Sequence, residues 1–193
     1  MKSDKVLLMP WIGELAKNVW NIISVELGWI ACIIGAARGY PWLGLLVVPI
    51  LFVIHIMLIE RRKTRKIFIV ALASIVIGFF IDTTLIIFEM LEPNRWLMPA
   101  PLTTIWDMMI WANFSLTLDM SLRFLQKRPL SAAFLGAIFA PGTYYAGDRL
   151  GALNFSEPVF SGLLWIGVLW FFAMPGLSLI AMYVYQPRKA KSK

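Results

Sequence analysis

Residues 106–124, "WDMMIWANFSLTLDMSLRF", are apolar enough to cross a membrane, yet they carry two aspartates, an asparagine, an arginine and three hydroxyls. An ionisable group deep in hydrocarbon costs at least ~2.5–3.5 kcal/mol on insertion scales, so such groups face a bundle interior or water. On a continuous helix, Thr103, Asp107, Asn113, Thr117 and Ser121 fall on one arc of about 120°, while Ile105, Met108, Ala112 and Leu116 lie elsewhere. The stretch is therefore expected to be a helix with one polar face turned inward. Asp119 and Arg123, off that face and four residues apart, are expected to neutralise one another near the helix end.

The rest of the chain repeats the apolar theme. Of 193 residues, 60% are hydrophobic, 14% aromatic and only 15% charged, and the mean hydropathy is +0.75. Those values lie outside soluble usage and make the bilayer the expected solvent. Apolar stretches at about 19–37, 42–60, 66–90, 102–124, 130–147 and 159–184 each approach the ~17–25 residues that cross ~30 Å of hydrocarbon as helix. The expected fold is all-α: a polytopic membrane protein, one integral-membrane domain over 1–193, built as a bundle of six transmembrane helices.

Basic residues set the expected orientation. Lys2, Lys5, Lys17, Arg61, Arg62, Lys63, Arg65, Lys66, Arg123, Lys127, Arg128, Arg188, Lys189, Lys191 and Lys193 fall on one side, leaving only Arg38, Arg95 and Arg149 on the other. Fifteen against three places both termini, and the tails 1–18 and 185–193, in the cytoplasm, with the protein multi-pass in a bacterial cytoplasmic (inner) membrane. The apolar run "VLLMPWI" near the start lacks a clear A-x-A-like cleavage site and is expected to be retained along the inner interface. A net charge of +7 and a pI near 9.8 could signal nucleic acid, but the cations flank helix ends and no groove-reading motif accompanies them. Membrane lipids are the expected partners, with other membrane proteins as a further class and no nucleic acid.

Small residues at four-residue spacing, Ala31–Gly35–Gly39 and Ala132–Gly136–Ala140, predict close helix packing for the first and fifth spans. The Trp-rich sixth is expected to be more lipid-exposed and kinked near Pro175. Cys32, the single cysteine, reads as a small packing residue.

Depth along the helices singles out candidate residues. At ~1.5 Å per residue, Asp82 lies ~24 Å from Lys66, Asp107 ~8 Å inside the outer end of span four, and Tyr144 ~21 Å along span five. All three fall in the outer half, with Asn113 near the midplane and Arg38, Asp148 and Arg149 at the outer rim. Convergence in an outer polar cavity would make Asp82, Asp107 and Tyr144 the catalytic candidates, with Asn113, Thr117, Arg38, Asp148 and Arg149 binding a ligand. The plainer alternative has the acids hydrogen-bonded to Thr83, Thr84 and Thr103 in a structural role. Glu26 and His55, nearer the cytoplasm, form a candidate proton relay. One histidine and one cysteine rule out a His/Cys zinc site and bis-histidine haem, and no phosphate loop, dinucleotide fingerprint or nucleophile elbow occurs; no metal or cofactor is expected.

"ELGWIACIIGAARGYPWLG" (26–44), "IGFFIDTTL" (77–85), "WANFSLTLDMSLRFL" (111–125) and "LGAIFAPGTYYAGDRLGAL" (135–153) together resemble a bacterial inner-membrane family classed as a domain of unknown function (DUF family 2878). The matching positions are Trp29, Gly35, Asp82, Trp111, Thr117, Ser121, Tyr144, Gly147 and Gly151, whereas Asp119 stands where a more neutral or histidine-like residue is expected. The resemblance carries no established activity; it implies a lipid-related role, since members sit near fatty-acid-modifying enzymes. Three functions follow as expectations: binding or modifying a lipid-like molecule in the outer cavity, proton-linked transport through the same acids, or non-catalytic scaffolding of other membrane proteins.

Overall fold

The computed structural model describes residues 3–60 and 63–186, with the side chains of 3–12 and 59–60 left out. Lys2, Arg61, Arg62, Arg188, Lys189, Lys191 and Lys193 lie outside the described residues. Six α-helices follow in order: α1 (Ser3–Ala37), α2 (Leu43–His55), α3 (Thr64–Ile87), α4 (Ile105–Ser115), α5 (Pro129–Leu150) and α6 (Val159–Tyr185). A π-helical turn, Ile56–Glu60, extends α2, and a 3₁₀ turn, Arg123–Lys127, precedes α5. Among the described residues three stretches are long and apolar enough to cross a membrane: Gly13–Ala37, Thr64–Ile87 and Val159–Tyr185, the last being the least buried of them.

Several expected boundaries move. Helix α1 runs unbroken from Ser3, so no separate segment precedes the stretch that begins at residue 19. Helix α2 stops being α-helical at His55. Two three-residue strands, β1 (Leu91–Pro93) and β2 (Leu153–Phe155), pair antiparallel where only loops were expected, with Glu92 opposite Asn154. They join the chain after α3 to the chain after α5, and Asn94 reinforces the join by donating to the Gly151 carbonyl at 2.7 Å. This hairpin-like ribbon, made of two strands distant in sequence, marks one end of the bundle. At the other, Lys66 Nζ donates to the carbonyls of Tyr185 and Gln186, at 3.3 and 3.2 Å, tying the start of α3 to the end of α6.

The largest departure concerns the stretch 102–124. Only Ile105–Ser115 is α-helical; residues 116–122 form consecutive tight turns. A single polar arc over 103–121 therefore does not exist as a helix face. The break is supported by side chains that replace the missing ladder. Asn21 Nδ2 of α1 donates to the Leu116 carbonyl at 3.0 Å, and its Oδ1 accepts from Ser121 Oγ at 2.9 Å. Gln126 Nε2 donates to the Leu118 carbonyl at 2.8 Å, and Thr117 Oγ1 to Phe114 O at 2.7 Å. Asp119 does meet Arg123, at 3.9 Å, but its nearer cation is Lys63 at 3.0 Å, so the pair is a three-residue cluster joining two parts of the chain.

Every residue from 102 to 122 is buried or half-buried, because α4 stands at the centre. Trp111 and Leu118 enter a core shared with α3, α5 and α6, whereas Trp106, Ala112 and Leu116 enter a second core with α1 and α2. Irregular backbone is tolerated at membrane depth only where protein buries it, and here it does.

The small-residue stripes separate into two uses. Gly136 packs against the Trp170 backbone and the Met174 side chain, and Gly35 against Tyr40 and Leu43. Gly39 instead ends α1 at φ +85°, with nothing near its Cα face; it is a helix-terminating glycine, not a packing one. Cys32 is buried against Gly44 of α2. In α5, Pro141 has no N–H to give the Ala137 carbonyl, and Gly167 of α6 lies directly over that freed oxygen.

Replacing Asn21 by Ala leaves the Leu116 carbonyl and the Ser121 hydroxyl without their partner. A loss of about 1–3 kcal/mol is expected, read as a lower midpoint of thermal unfolding for the detergent-solubilised protein, with a larger loss for Asn21→Asp, which sets a buried carboxylate oxygen against the Leu116 carbonyl.

Candidate functional site

Three helices deliver one residue each to a buried polar centre. Asp82 lies in the last third of α3, Asp107 in the first turn of α4, and Tyr144 two turns from the end of α5. Asp82 is 1% exposed. Its Oδ2 accepts the Trp111 indole N–H at 2.5 Å and its Oδ1 accepts the Tyr144 hydroxyl at 2.5 Å. The Asp107 carboxyl group lines the same small cavity as Asp82, and Thr103 Oγ1 donates to Asp107 Oδ2 at 2.7 Å. A buried charge is tolerable only when paired or supplied with donors, and these donors meet that requirement from three separate positions. Of the threonines expected to serve the acids, only Thr103 does so. Thr83 accepts the Thr103 N–H at 3.1 Å, and Thr84 returns to its own helix at Phe80 O.

The backbone is shaped for this meeting. A Cβ at Gly78, one turn before Asp82, would collide with the Trp111 indole. That indole stacks on Trp170 of α6 with ring centroids 4.6 Å apart and planes inclined by 17°. Trp111 was legible as a site residue after all: it stands four positions after Asp107 and so shares its helix face. Its partnership with Asp82, 29 positions away in sequence, was not.

Two cavities adjoin the acids. A small one of about 10 Å³, near the volume of one water, is lined by Asp82, Thr103, Asp107 and Tyr144 together with Leu91 and Pro93 of the hairpin. A large, half-open groove of about 720 Å³ lies between α1 and α5 over α4, with Trp170 and Met174 of α6 in its wall. Its lining is mostly apolar. Polar groups appear at both ends: Asp107 and Tyr144 towards the hairpin, Thr117, Ser121 and Glu26 towards the opposite end. Asn113 lies between them, 1% exposed, donating to the Val25 carbonyl of α1 at 2.6 Å.

Thus the structure brings together Asp82, Asp107 and Tyr144, and it puts Asn113 and Thr117 on the same groove as Asp107 and Tyr144. It leaves other candidates apart. Arg38 and Arg149 are exposed at the hairpin end and line neither cavity. Asp148 Oδ1 accepts the Phe155 N–H at 3.1 Å, holding β2 in place. Glu26 is exposed on α1 while His55 is buried in α2. Among the described residues no group of three or more His, Cys, Asp or Glu side chains gathers as a metal site would.

The family model described as "Protein of unknown function (DUF2878)" matches residues 18–176. The chain belongs to this family. The match spans α1 from residue 18 to the middle of α6, and so includes Asp82, Asp107, Tyr144 and the whole groove. No curated protein and no solved structure matches the chain.

Gly78→Ala forces the Trp111 indole to shift away from Asp82. Overpacking of this kind costs about 1–3 kcal/mol. Trp111→Phe removes the donor without the collision and is expected to cost a similar amount by leaving a buried carboxylate short of a hydrogen bond. Thermal unfolding midpoints measure both, and the double variant should lose less than the sum, since each acts on the same contact.

Proposed function

We propose that this protein is a multi-pass protein of the bacterial inner membrane that binds or modifies a lipid-like molecule at the Asp82–Asp107–Tyr144 centre. The observation that carries the reading is the placing of that centre at one end of an apolar groove of about 720 Å³, a volume typical of small-molecule sites. In this reading all six helical segments cross the membrane. Helices α2 and α4, at 13 and 11 residues, are short for a crossing, and the π-helical turn that extends α2 and the buried turns after α4 complete it. The fifteen-to-three division of basic residues supports cytoplasmic termini, which puts the hairpin and the acids on the periplasmic half.

The chemistry is proton transfer. Two carboxyl groups lining one buried cavity repel each other when both are ionised, and in this reading they share one proton. Asp107, facing the groove, is then the proton acceptor for a bound ligand. Tyr144, whose hydroxyl is held by Asp82, is the donor. Asn113 and Thr117 orient the ligand along the groove.

Asp82→Asn and Asp107→Asn, expressed at the wild-type level, are each expected to shift the cellular lipid extract to the profile of cells lacking the gene. Profiles identical to wild type for both variants would remove the reading.

Proton-linked transport is favoured by one specific feature: Asp107 and Tyr144 line both the small cavity beside the strand pair and the groove that runs on towards the opposite end of the bundle. For that function, solute uptake into proteoliposomes should rise when a pH gradient is imposed and collapse in Asp107→Asn. Uptake indifferent to the gradient excludes it.

A further inference from the structure

The groove has a length, a pattern of charge and an open side, and together these say more about an occupant than its volume does. Its walls run over residues 22–33 of α1 and 135–146 of α5, each about 16 Å at ~1.5 Å per residue. That is close to half of the ~30 Å hydrocarbon core, the depth of one leaflet's acyl chains. Ile22 and Glu26 on α1 and Phe139, Gly142 and Thr143 on α5 are exposed along its edges, so the opening is sideways, between two helices, and not through the hairpin end.

The charge is distinctive. The ionisable groups on the lining are Glu26, Asp107 and Tyr144; no Lys, Arg or His among the described residues lines it. An anionic headgroup or a fatty carboxylate entering the hairpin end would meet Asp107 and Asp82 with no cation to offset it, at a cost of several kcal/mol. A cationic end is also poorly served. Asp82 is already supplied with the Trp111 and Tyr144 donors and Asp107 with the Thr103 hydroxyl, so a cation there would compete with donors that the protein itself provides. What remains at that end is a hydroxyl and a carboxyl group able to exchange hydrogen bonds with a neutral polar group.

We propose that the groove takes a single aliphatic chain bearing an uncharged polar group, a hydroxyl or a carbonyl, which enters from the side between α1 and α5 and sets that group against Asp107 and Tyr144. The inference rests on the lipid-binding reading above and narrows it to one chemical class. Chain length along the groove is limited by Thr117 and Ser121 at the far end, where the broken helix closes the floor.

The test uses the four tryptophans of the lining, Trp29, Trp106, Trp111 and Trp170, as reporters. Dibromostearyl alcohol, dibromostearate at alkaline pH and dibromostearylamine are titrated into the purified full-length protein in detergent, and tryptophan quenching is followed. The alcohol should quench saturably, with a midpoint at least about tenfold below those of the two charged probes. Gly142, whose Cα face meets nothing within 4 Å, allows the groove to be filled without a clash: Gly142→Phe should abolish the saturable phase and Gly142→Ala should keep it, with unfolding midpoints checking that both variants fold. Equal or tighter binding of the carboxylate or the amine, lost in Gly142→Phe, would overturn the uncharged class while leaving lipid binding intact. Saturable quenching that survives Gly142→Phe would remove the groove as the site. Quenching by none of the three probes would remove this inference and the lipid reading together.

Discussion

A carboxylate that is 1% exposed among apolar helices must be supplied with donors, and Asp82 draws its donors from two other helices. Trp111 of α4 and Tyr144 of α5 cannot both reach it unless α3, α4 and α5 converge within a few ångströms of one point. Gly78 lets the Trp111 indole lie against α3, and the stacking of that indole on Trp170 brings in α6. Core and candidate site are consequently one object: the ring that satisfies the acid is also the ring that fills the largest apolar cluster.

The second constraint is the early end of α4. Once the helix stops at Ser115, the carbonyls that follow need other donors, and Asn21 of α1 and Gln126 of the 3₁₀ turn supply them. Those bonds hold the floor of the bundle to α1, while Gly136, Gly167 and their neighbours press α5 onto α6. Helices α1 and α5 are thus drawn to different partners, and the groove is the space left between them. Its polar residues do two tasks. Thr117 and Ser121 complete the broken backbone and also mark the far end of the groove, whereas Asp107 and Tyr144 mark the near end.

Much of this was legible along the chain. Apolar runs of membrane-spanning length located all six helices, because burying apolar surface is a property each segment carries by itself. The acids worth attention, Asp82 and Asp107, stood out because carboxylates are costly wherever hydrocarbon is the solvent. Tyr144 joined them by depth alone. The same reasoning went astray where it treated a segment as regular: a wheel drawn through 103–121 assumed a helix that ends at Ser115, and Gly39, read as packing, closes a helix instead.

The sequence by itself determined an all-α chain of apolar helical segments, with most of its cations in the tails and in the loops after the second and fourth segments, and two acids out of place among apolar neighbours. Only the tertiary structure decided who satisfies those acids, that Asn21 holds the broken fourth helix, that Glu26 is exposed while His55 is buried, and that a groove opens between α1 and α5. Periodicity and charge are read along one segment at a time. Hydrogen-bond partners 29 to 100 positions apart depend on which helices meet in space, and that is set by packing shape, which no single segment contains.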